Sequence, residues 1–333
     1  MFAKFFYFSR RRVIMTGMNR TIFLFVDGCG VGRADPGNPF FMAKSIYLPL
    51  WTGAMALPDS TPVATIDATL GIPGLPQSAS GQTALFCGSK AAAIANRHRN
   101  GYPDRALRRI ILKKNLLSKL EKKGVTARFL NAYPVFNQYF SCEHMRIKPD
   151  GRFWFSPLFP ERFKRMISVT SCMLLACGQR PFDEADIRAG KAIYQDYSNR
   201  QLNEKELSLP EFSPQQAAGI IYNASRRFEF ILYEYFQTDL YAHRRPFAEC
   251  VGLIRELDTL VGALLSRLDK KNDTLVLTSD HGNLEDFHLR GHSRNPVPLL
   301  AWGRHGDRLR KKIKSLSDVA PAILELFAKK NPN

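Results

Sequence analysis

Cysteine is sparse and unpaired in this sequence: Cys29, Cys87, Cys142, Cys172, Cys177 and Cys250 stand apart, with no CxxC pair among them. That spacing argues against a disulfide framework or a zinc-finger module, and fits reduced thiols in a cytoplasmic protein. No apolar run approaches the ~20 residues that span a bilayer, so no membrane role is expected. Internal repeats and low-complexity tracts are also missing. Acidic residues are few, 30 Asp and Glu against 48 Lys and Arg, giving a net charge of +18 and a pI of about 9.8. The excess sits in runs: Arg10-Arg11-Arg12, Arg97 to Lys114, Arg226-Arg227 and Arg308 to Lys314. Such a surface attracts anions, either nucleic acid or phosphorylated metabolites. Without an aromatic-interleaved basic motif, nucleic acid is disfavoured and a solvated basic face is the plainer reading.

What remains is the composition of a soluble globular protein, 45% hydrophobic and 23% charged. A chain of 333 residues suits one large domain, or one domain with an insertion. The opening MFAKFFYFSRRRVIMTGMNR places aromatics before arginines, the reverse of a secretory signal. Residues 1–19 are expected to form a disordered extension, with Met15 or Met18 as alternative starts.

The residues that can carry chemistry concentrate in Thr274 to Leu300, TLVLTSDHGNLEDFHLRGHSRNPVPLL. Its β-branched apolar opening predicts a buried strand that stops at Asp280-His281, where Gly282-Asn283 turns the backbone. His292 follows on the next loop. A carboxylate and two imidazoles on one strand–loop unit suit Zn²⁺ or Mn²⁺, although a water-facing polar loop would read the same way in isolation. Thr21 to Val26 repeats the arrangement, an apolar strand ending at Asp27 before a glycine-rich turn. Phe228 to Phe236 is a third such strand and leads to Asp239 and His243, whose spacing shares one face of a helix. Four of the seven histidines, His243, His281, His288 and His292, fall in this part of the chain. In open parallel sheets, ligands gather at the carboxyl ends of strands.

Between these strands, a Gly/Pro loop from Leu70 brings Ser78, Ser80 and Thr83 to a helix expected over Ala84 to Ala95. A hydroxyl at a helix N-terminus suits a nucleophile that attacks phosphorus, and suits simple capping equally. Further elements are expected as a helix over 115–124, a strand over 127–133, a helix around 186–197, and amphipathic helices over 246–268 and 315–328, the last capped by Ser317. From Cys142 to Ser213, proline-flanked aromatics break the strand–helix alternation, and this segment is expected to lie as a lid over the carboxyl edge.

Taken in order, VDGCGVG, SASGQTALFCG, DLYAH and TSDHGN with GHSRNPVP resemble the alkaline phosphatase superfamily. Within it they are similar to the cofactor-independent phosphoglycerate mutases and phosphopentomutases. The resemblance implies an α/β fold, a mostly parallel sheet sandwiched by helices. Residues 20–141 and 214–330 would form the metalloenzyme core, and 142–213 a small lid insertion. It implies two divalent metal ions, Mn²⁺ or Zn²⁺. Asp239, His243 and His292 would hold one; Asp27, Asp280, His281 and the nucleophile Ser78 would hold the other. Gln82, Asn283 and Arg188 are the candidate substrate contacts, and His288 lies off the pattern. The expected activity is two-metal phosphoryl transfer on a small phosphate ester through a phosphoserine, as phosphatase or phosphomutase. The alternatives are a phosphodiesterase, or a degenerate metalloenzyme fold used as a basic binding protein. A sulfatase is disfavoured, since the Cys/Ser-x-Pro-x-Arg context is missing. Two departures leave a mutase substrate in doubt: Gln82 stands where that branch has histidine, and the large inserted domain is absent. Oligomeric state stays open.

Overall fold

Three apolar runs far apart in the chain lie side by side at the centre of the molecule. In the computed structural model, which describes residues 20–289 and 291–328, β1 (Arg20–Val26) is the middle strand of the three. The extension expected over 1–19 lies outside the described residues. The remaining strands are β2 (Val63–Ile66), β3 (Ala127–Phe129), β4 (Met145–Ile147), β5 (Phe153–Phe155), β6 (Phe230–Tyr235), β7 (Asp273–Thr278) and β8 (Val297–Gly303). Six form one sheet in the order β2-β8-β7-β1-β6-β3. β1 runs parallel to both neighbours, with Val26 opposite Tyr235 and Phe25 opposite Thr278. β3 continues parallel to β6. Only β8 runs against the rest, because no helix separates it from β7 and the chain must return antiparallel.

Strands covered on both faces read as unbroken apolar runs, and residues 22–26 of β1 are at most 2% exposed. Alternate residues serve opposite faces. Phe23, Phe25, Phe230, Leu232 and Val276 pack under helices Ser78–Cys87, Arg105–Lys114, Leu116–Lys122, Val169–Cys177 and Leu316–Leu326. Ile22, Leu24, Ile231, Tyr233, Leu275 and Leu277 pack under Pro214–Ser225 and Phe247–Leu265. The structure is thus the expected α/β fold, a mainly parallel sheet flanked by helices.

Several element boundaries differ from expectation. The helix expected over Ala84 to Ala95 starts earlier, at Ser78, and stops at Gly88, followed by a short turn of helix at Ala91–Ile94. Gly88 ends it in the left-handed region, φ 60°, where it caps the helix. The strand expected over 127–133 closes at Phe129 because Asn131 takes over: its amide bonds the backbone of Glu234 at 2.7 and 2.9 Å, and the chain then bridges to Ile193 and Phe182. Helix 186–197 shrinks to Glu184–Arg188. The cap of the last helix is Ser315, in a reciprocal capping box with Asp318, rather than Ser317.

Within 142–213, β4 and β5 form a separate two-stranded sheet. Helix Val169–Cys177 instead enters the core beside Arg105–Lys114 and Leu116–Lys122. Residues 182 and 193 touch the chain just past β3. Tyr197 stacks on Tyr235 at the end of β6, ring centroids 6.3 Å apart.

Gly88 also permits a close approach, since a Cβ there would lie 2.6 Å from the ring of Pro321 in the last helix. Gly88→Ala is expected to lower stability by about 1–3 kcal/mol, combining a left-handed backbone penalty with a steric clash. An unchanged denaturation midpoint would show that the two helices do not meet this closely.

Candidate metal centre

Parallel pairing places the ends of β1, β6 and β7 on one edge, and each delivers an aspartate there. Asp27 follows β1 directly and Asp280 follows β7 by one residue, while Asp239 lies in helix Gln237–Arg244 just after β6. That helix spacing puts His243 beside Asp239. His281 continues from Asp280, and His292 returns on the loop leading into β8.

Two groups of side chains converge. Ligand atoms of Asp239, His243 and His292 all lie within 4.8 Å of one another, and so do those of Asp27, Asp239 and His281. His243 Nε2 and His292 Nε2 are 3.3 Å apart. His292 Nδ1 lies 2.9 Å from the carbonyl of Pro76, which fixes Nδ1 as the protonated nitrogen and leaves the Nε2 lone pair facing the cluster. His281 Nε2 is 3.3 Å from Asp27 Oδ1, 3.6 Å from Asp280 Oδ2 and 3.0 Å from Ser78 Oγ. Asp280 thus borders the second group without belonging to its tightest set. Ser78 is the first residue of its helix, which puts its hydroxyl in the partial positive field of that helix end.

The cluster fits a divalent cation by its unmet needs. Asp27 Oδ1 and Asp280 Oδ2 are buried and accept no hydrogen bond, although His281 stands within ion-pair distance of both. Buried carboxylate oxygens without partners are costly unless a cation meets them. Burial first, and then the charge of Asp280, pushes the Asp27 carboxyl well above the usual range. For His281, burial opposes protonation, but the charges of Asp280 and Asp27 outweigh it and raise its pKa to about 10. His292 moves the other way, lowered by burial and by His281.

Three expected substrate contacts have other engagements. Gln82 Nε2 donates to Asp27 Oδ2 at 3.0 Å, so it orients that carboxylate. Asn283 Nδ2 donates to Asp239 Oδ1 at 2.7 Å and lies 3.1 Å from His243 Nε2. Arg188 is not brought to the cluster: it pairs with Glu184 at 2.7 Å and donates to the carbonyls of Leu207 and Ser208. A helix turn of its own supplies its carboxylate, which the sequence spacing Glu184/Arg188 already contained. His288 stands apart, 69% exposed beside Asp35. Among the other serine-loop hydroxyls, Thr83 Oγ1 bonds back to the carbonyl of Ala79 at 2.6 Å, and Ser80 Oγ to that of Gln77 at 3.1 Å.

Sequence reasoning missed Glu285. It is buried, and Oε2 accepts from the backbone N–H of Gly30 at 2.7 Å and of Asn283 at 2.8 Å. Oε1 accepts from Ser293 Oγ and, at 3.0 Å, from Asn295 Nδ2. One carboxylate therefore ties together the three loops that carry Asp27, His281 and His292. A Cβ at Gly30 would sit 2.3 Å from Glu285 Oε1, which explains the glycine. Its place four residues after His281 was the only available signal. Glu234 was missed as well: burial raises its pKa to about 7, against a 2.8 Å hydrogen bond from Thr170 Oγ1 that favours the anion.

The comparisons with known proteins agree with this geometry. Residues 208–331 match the family model described as the Metalloenzyme superfamily. That stretch contains Asp239, His243, Asp280, His281 and His292, and leaves out Asp27 and Ser78. A 2,3-bisphosphoglycerate-independent phosphoglycerate mutase of Pseudomonas putida is 31% identical over 134 residues, 38% of this chain and 25% of that protein. The Thermomicrobium roseum enzyme of the same name is 30% identical over 138 residues, 38% of this chain and 26% of its own. The match thus spans about a quarter of the length of these relatives. Alkaline phosphatase from the Antarctic bacterium TAB5 shares the fold with a TM-score of 0.50 at 14% identity, covering 93% of this chain and 98% of that one. A cold-active alkaline phosphatase from Shewanella gives 0.51 at 11% identity, over 93% and 100%. Together these show a fold shared with the alkaline phosphatases and, over part of the chain, a likeness to the Metalloenzyme superfamily and to the phosphoglycerate mutases.

His292→Ala is expected to cost about one bound ion per chain by elemental analysis, whereas His288→Ala leaves metal content unchanged; equal loss in both would refute the ligand set. Glu234 supplies a pH test. Its folded pKa lies above the unfolded value, so the folded chain holds an extra proton and stability falls as pH rises from about 4.5 through 7. Glu234→Gln is expected to flatten that decline by about 1–3 kcal/mol between pH 5 and 8 in urea unfolding. Parallel pH profiles for both proteins would rule the contribution out.

Proposed function

We propose that this chain transfers phosphoryl groups from a small phosphate ester, using two divalent ions and a phosphoserine formed on Ser78. The observation that carries the reading is the position of Ser78 Oγ, at the N-terminus of its helix and 3.0 Å from His281 Nε2 in the second of the two groups. Asp239, His243 and His292 would hold one ion; Asp27, Asp280, His281 and Ser78 the other. When bound, such ions supply Lewis-acid charge that favours ionisation of a hydroxyl and offsets charge on the transferring oxygens.

The chain's own residues do the rest. Ser78 presents its hydroxyl, and the helix end behind it favours the anion that hydroxyl becomes. Attack of Oγ on phosphorus breaks the ester bond, and the leaving oxygen departs as an alcohol after taking a proton. Water attacking the phosphoserine returns free serine and inorganic phosphate; an acceptor hydroxyl in its place completes a mutase cycle. Gln82 and Asn283 hold Asp27 and Asp239 in position through the bonds described above. The segment 142–213 is assigned as an insertion into the 20–141 and 214–330 core, anchored by helix Val169–Cys177. No described helix is long and apolar enough to cross a membrane, and all six cysteines are free, which supports a cytoplasmic setting. Retention of the full ligand set argues against a degenerate binding fold, since drift would remove at least one member.

Ser78→Ala is expected to reduce turnover of a phosphate monoester by about 10³ or more while metal content stays near two ions per chain. Thr83→Ala should be mild. Trapping the phosphoenzyme and locating the label on Ser80 or Thr83 would falsify the assignment. A panel of mono- and diesters, with and without an acceptor alcohol, separates phosphatase, diesterase and mutase.

A further inference from the structure

The loop that delivers Ser78 follows a path that the backbone alone does not hold. Leu70, Gly71 and Gly74 have φ of 54°, 68° and 105°. Glycine adopts such values freely, while Leu70 does so at a cost in free energy. Asp67 secures the start of the loop, accepting from the Thr69 and Leu70 N–H groups at 3.0 and 2.9 Å. Gln77 secures its end, where its carbonyl accepts from the Gly81 N–H at 2.8 Å. Between these anchors, residues 73–76 make no backbone–backbone hydrogen bond among the described residues.

Side chains from elsewhere hold this middle stretch, and they do so at alternate carbonyls. His98 Nε2 lies 3.4 Å from the oxygen of Ile72. Arg294 Nε donates to that of Gly74 at 3.2 Å, and His292 Nδ1 lies 2.9 Å from that of Pro76. Two of the three belong to one short segment, residues 292–294, which runs along the loop. His292 has its reason in the metal centre. Arg294 has none there: it is exposed, and the chemistry described above does not use it.

We propose that Arg294 is a positioning residue, which by holding the Gly74 carbonyl fixes the loop that sets Ser78 Oγ at the metal centre. This rests on Ser78 being the nucleophile. An oxygen that must attack phosphorus benefits from being held, since a misplacement of about 1 Å can slow a reaction about 10²-fold. A single exposed hydrogen bond supplies only part of that. The competing role for an exposed guanidinium near this centre is direct contact with a substrate anion. The two roles make different demands. A carbonyl needs one donor, which lysine also offers, whereas an anion is gripped by the guanidinium fork that lysine lacks.

Arg294→Met and Arg294→Lys, assayed on the metal-loaded full chain with p-nitrophenyl phosphate, separate these roles. A nitroxide on Leu75→Cys reports the loop itself, beside Gly74 at a half-exposed position, in a chain whose exposed Cys142 is replaced by serine. Arg294→Met is expected to lower kcat about three- to tenfold at unchanged KM, the size of one hydrogen bond. It should also leave metal content near two ions per chain and make the nitroxide more mobile. Arg294→Lys should return both kcat and mobility close to those of the unaltered chain. Unchanged mobility or unchanged kcat in Arg294→Met overturns the proposal. A raised KM that lysine does not restore overturns it in favour of a substrate contact, and loss of bound metal overturns it in favour of a role at the metal centre. Full activity in Ser78→Ala, or no turnover by the unaltered chain, counts against the phosphoserine instead, and the nitroxide then decides whether Arg294 holds the loop.

Discussion

Like-charge repulsion among Asp27, Asp239 and Asp280 is the constraint on which the structure of this edge depends. β7, β1 and β6 are adjacent strands about 5 Å apart, so aspartates at or just beyond their carboxyl ends cannot avoid one another. Burial removes the water that would screen them. The surroundings answer this with donors: the Gly28 N–H toward Asp280, Gln82 toward Asp27, and Asn283 toward Asp239. Even so, two carboxylate oxygens are left without partners. A site arranged in this way has an electrostatic deficit that positive charge of some kind must fill, and the imidazoles are placed where protonated nitrogen or a metal ion can fill it.

Holding acidic groups together against repulsion requires rigid loops, and Glu285 shows how that rigidity is reached. A further buried carboxylate would look like an added liability. Yet it faces four donors and so is fully satisfied, unlike the aspartates beside it. Its worth lies in distance: it joins a loop from the start of the chain to two near its end. The arrangement separates roles between acids of the same chemistry. Those with free oxygens face the cluster, and the one with none holds the frame.

The parts of this architecture that were legible in the sequence are those with local signatures. Apolar runs ending at Asp27 and Asp280 declared both strand and edge, and the 239/243 spacing declared a helical face. Where the sequence failed, a distant partner made the decision. Asn131 ended a strand by bonding to Glu234, and Gly88 ended a helix against Pro321, neither of which a window of neighbours contains. Arg188 shows the reverse error, a basic residue assigned to a distant anion when a nearer one stood one turn away. Glu285 carries no motif of its own and became visible only once three loops met around it.

The central position of β1 has a bearing on how the protein is made. Its ladder to β7 is closed at one end by Arg20 and Asp273, 253 positions apart in the chain. Both neighbours of β1 belong to the last third of the polypeptide. During synthesis an intensely apolar strand therefore leaves the ribosome long before its pairing partners exist, and sheets built from such distant pairings form slowly. β1 must be shielded from other chains until residues as far as 253 positions further along have been made.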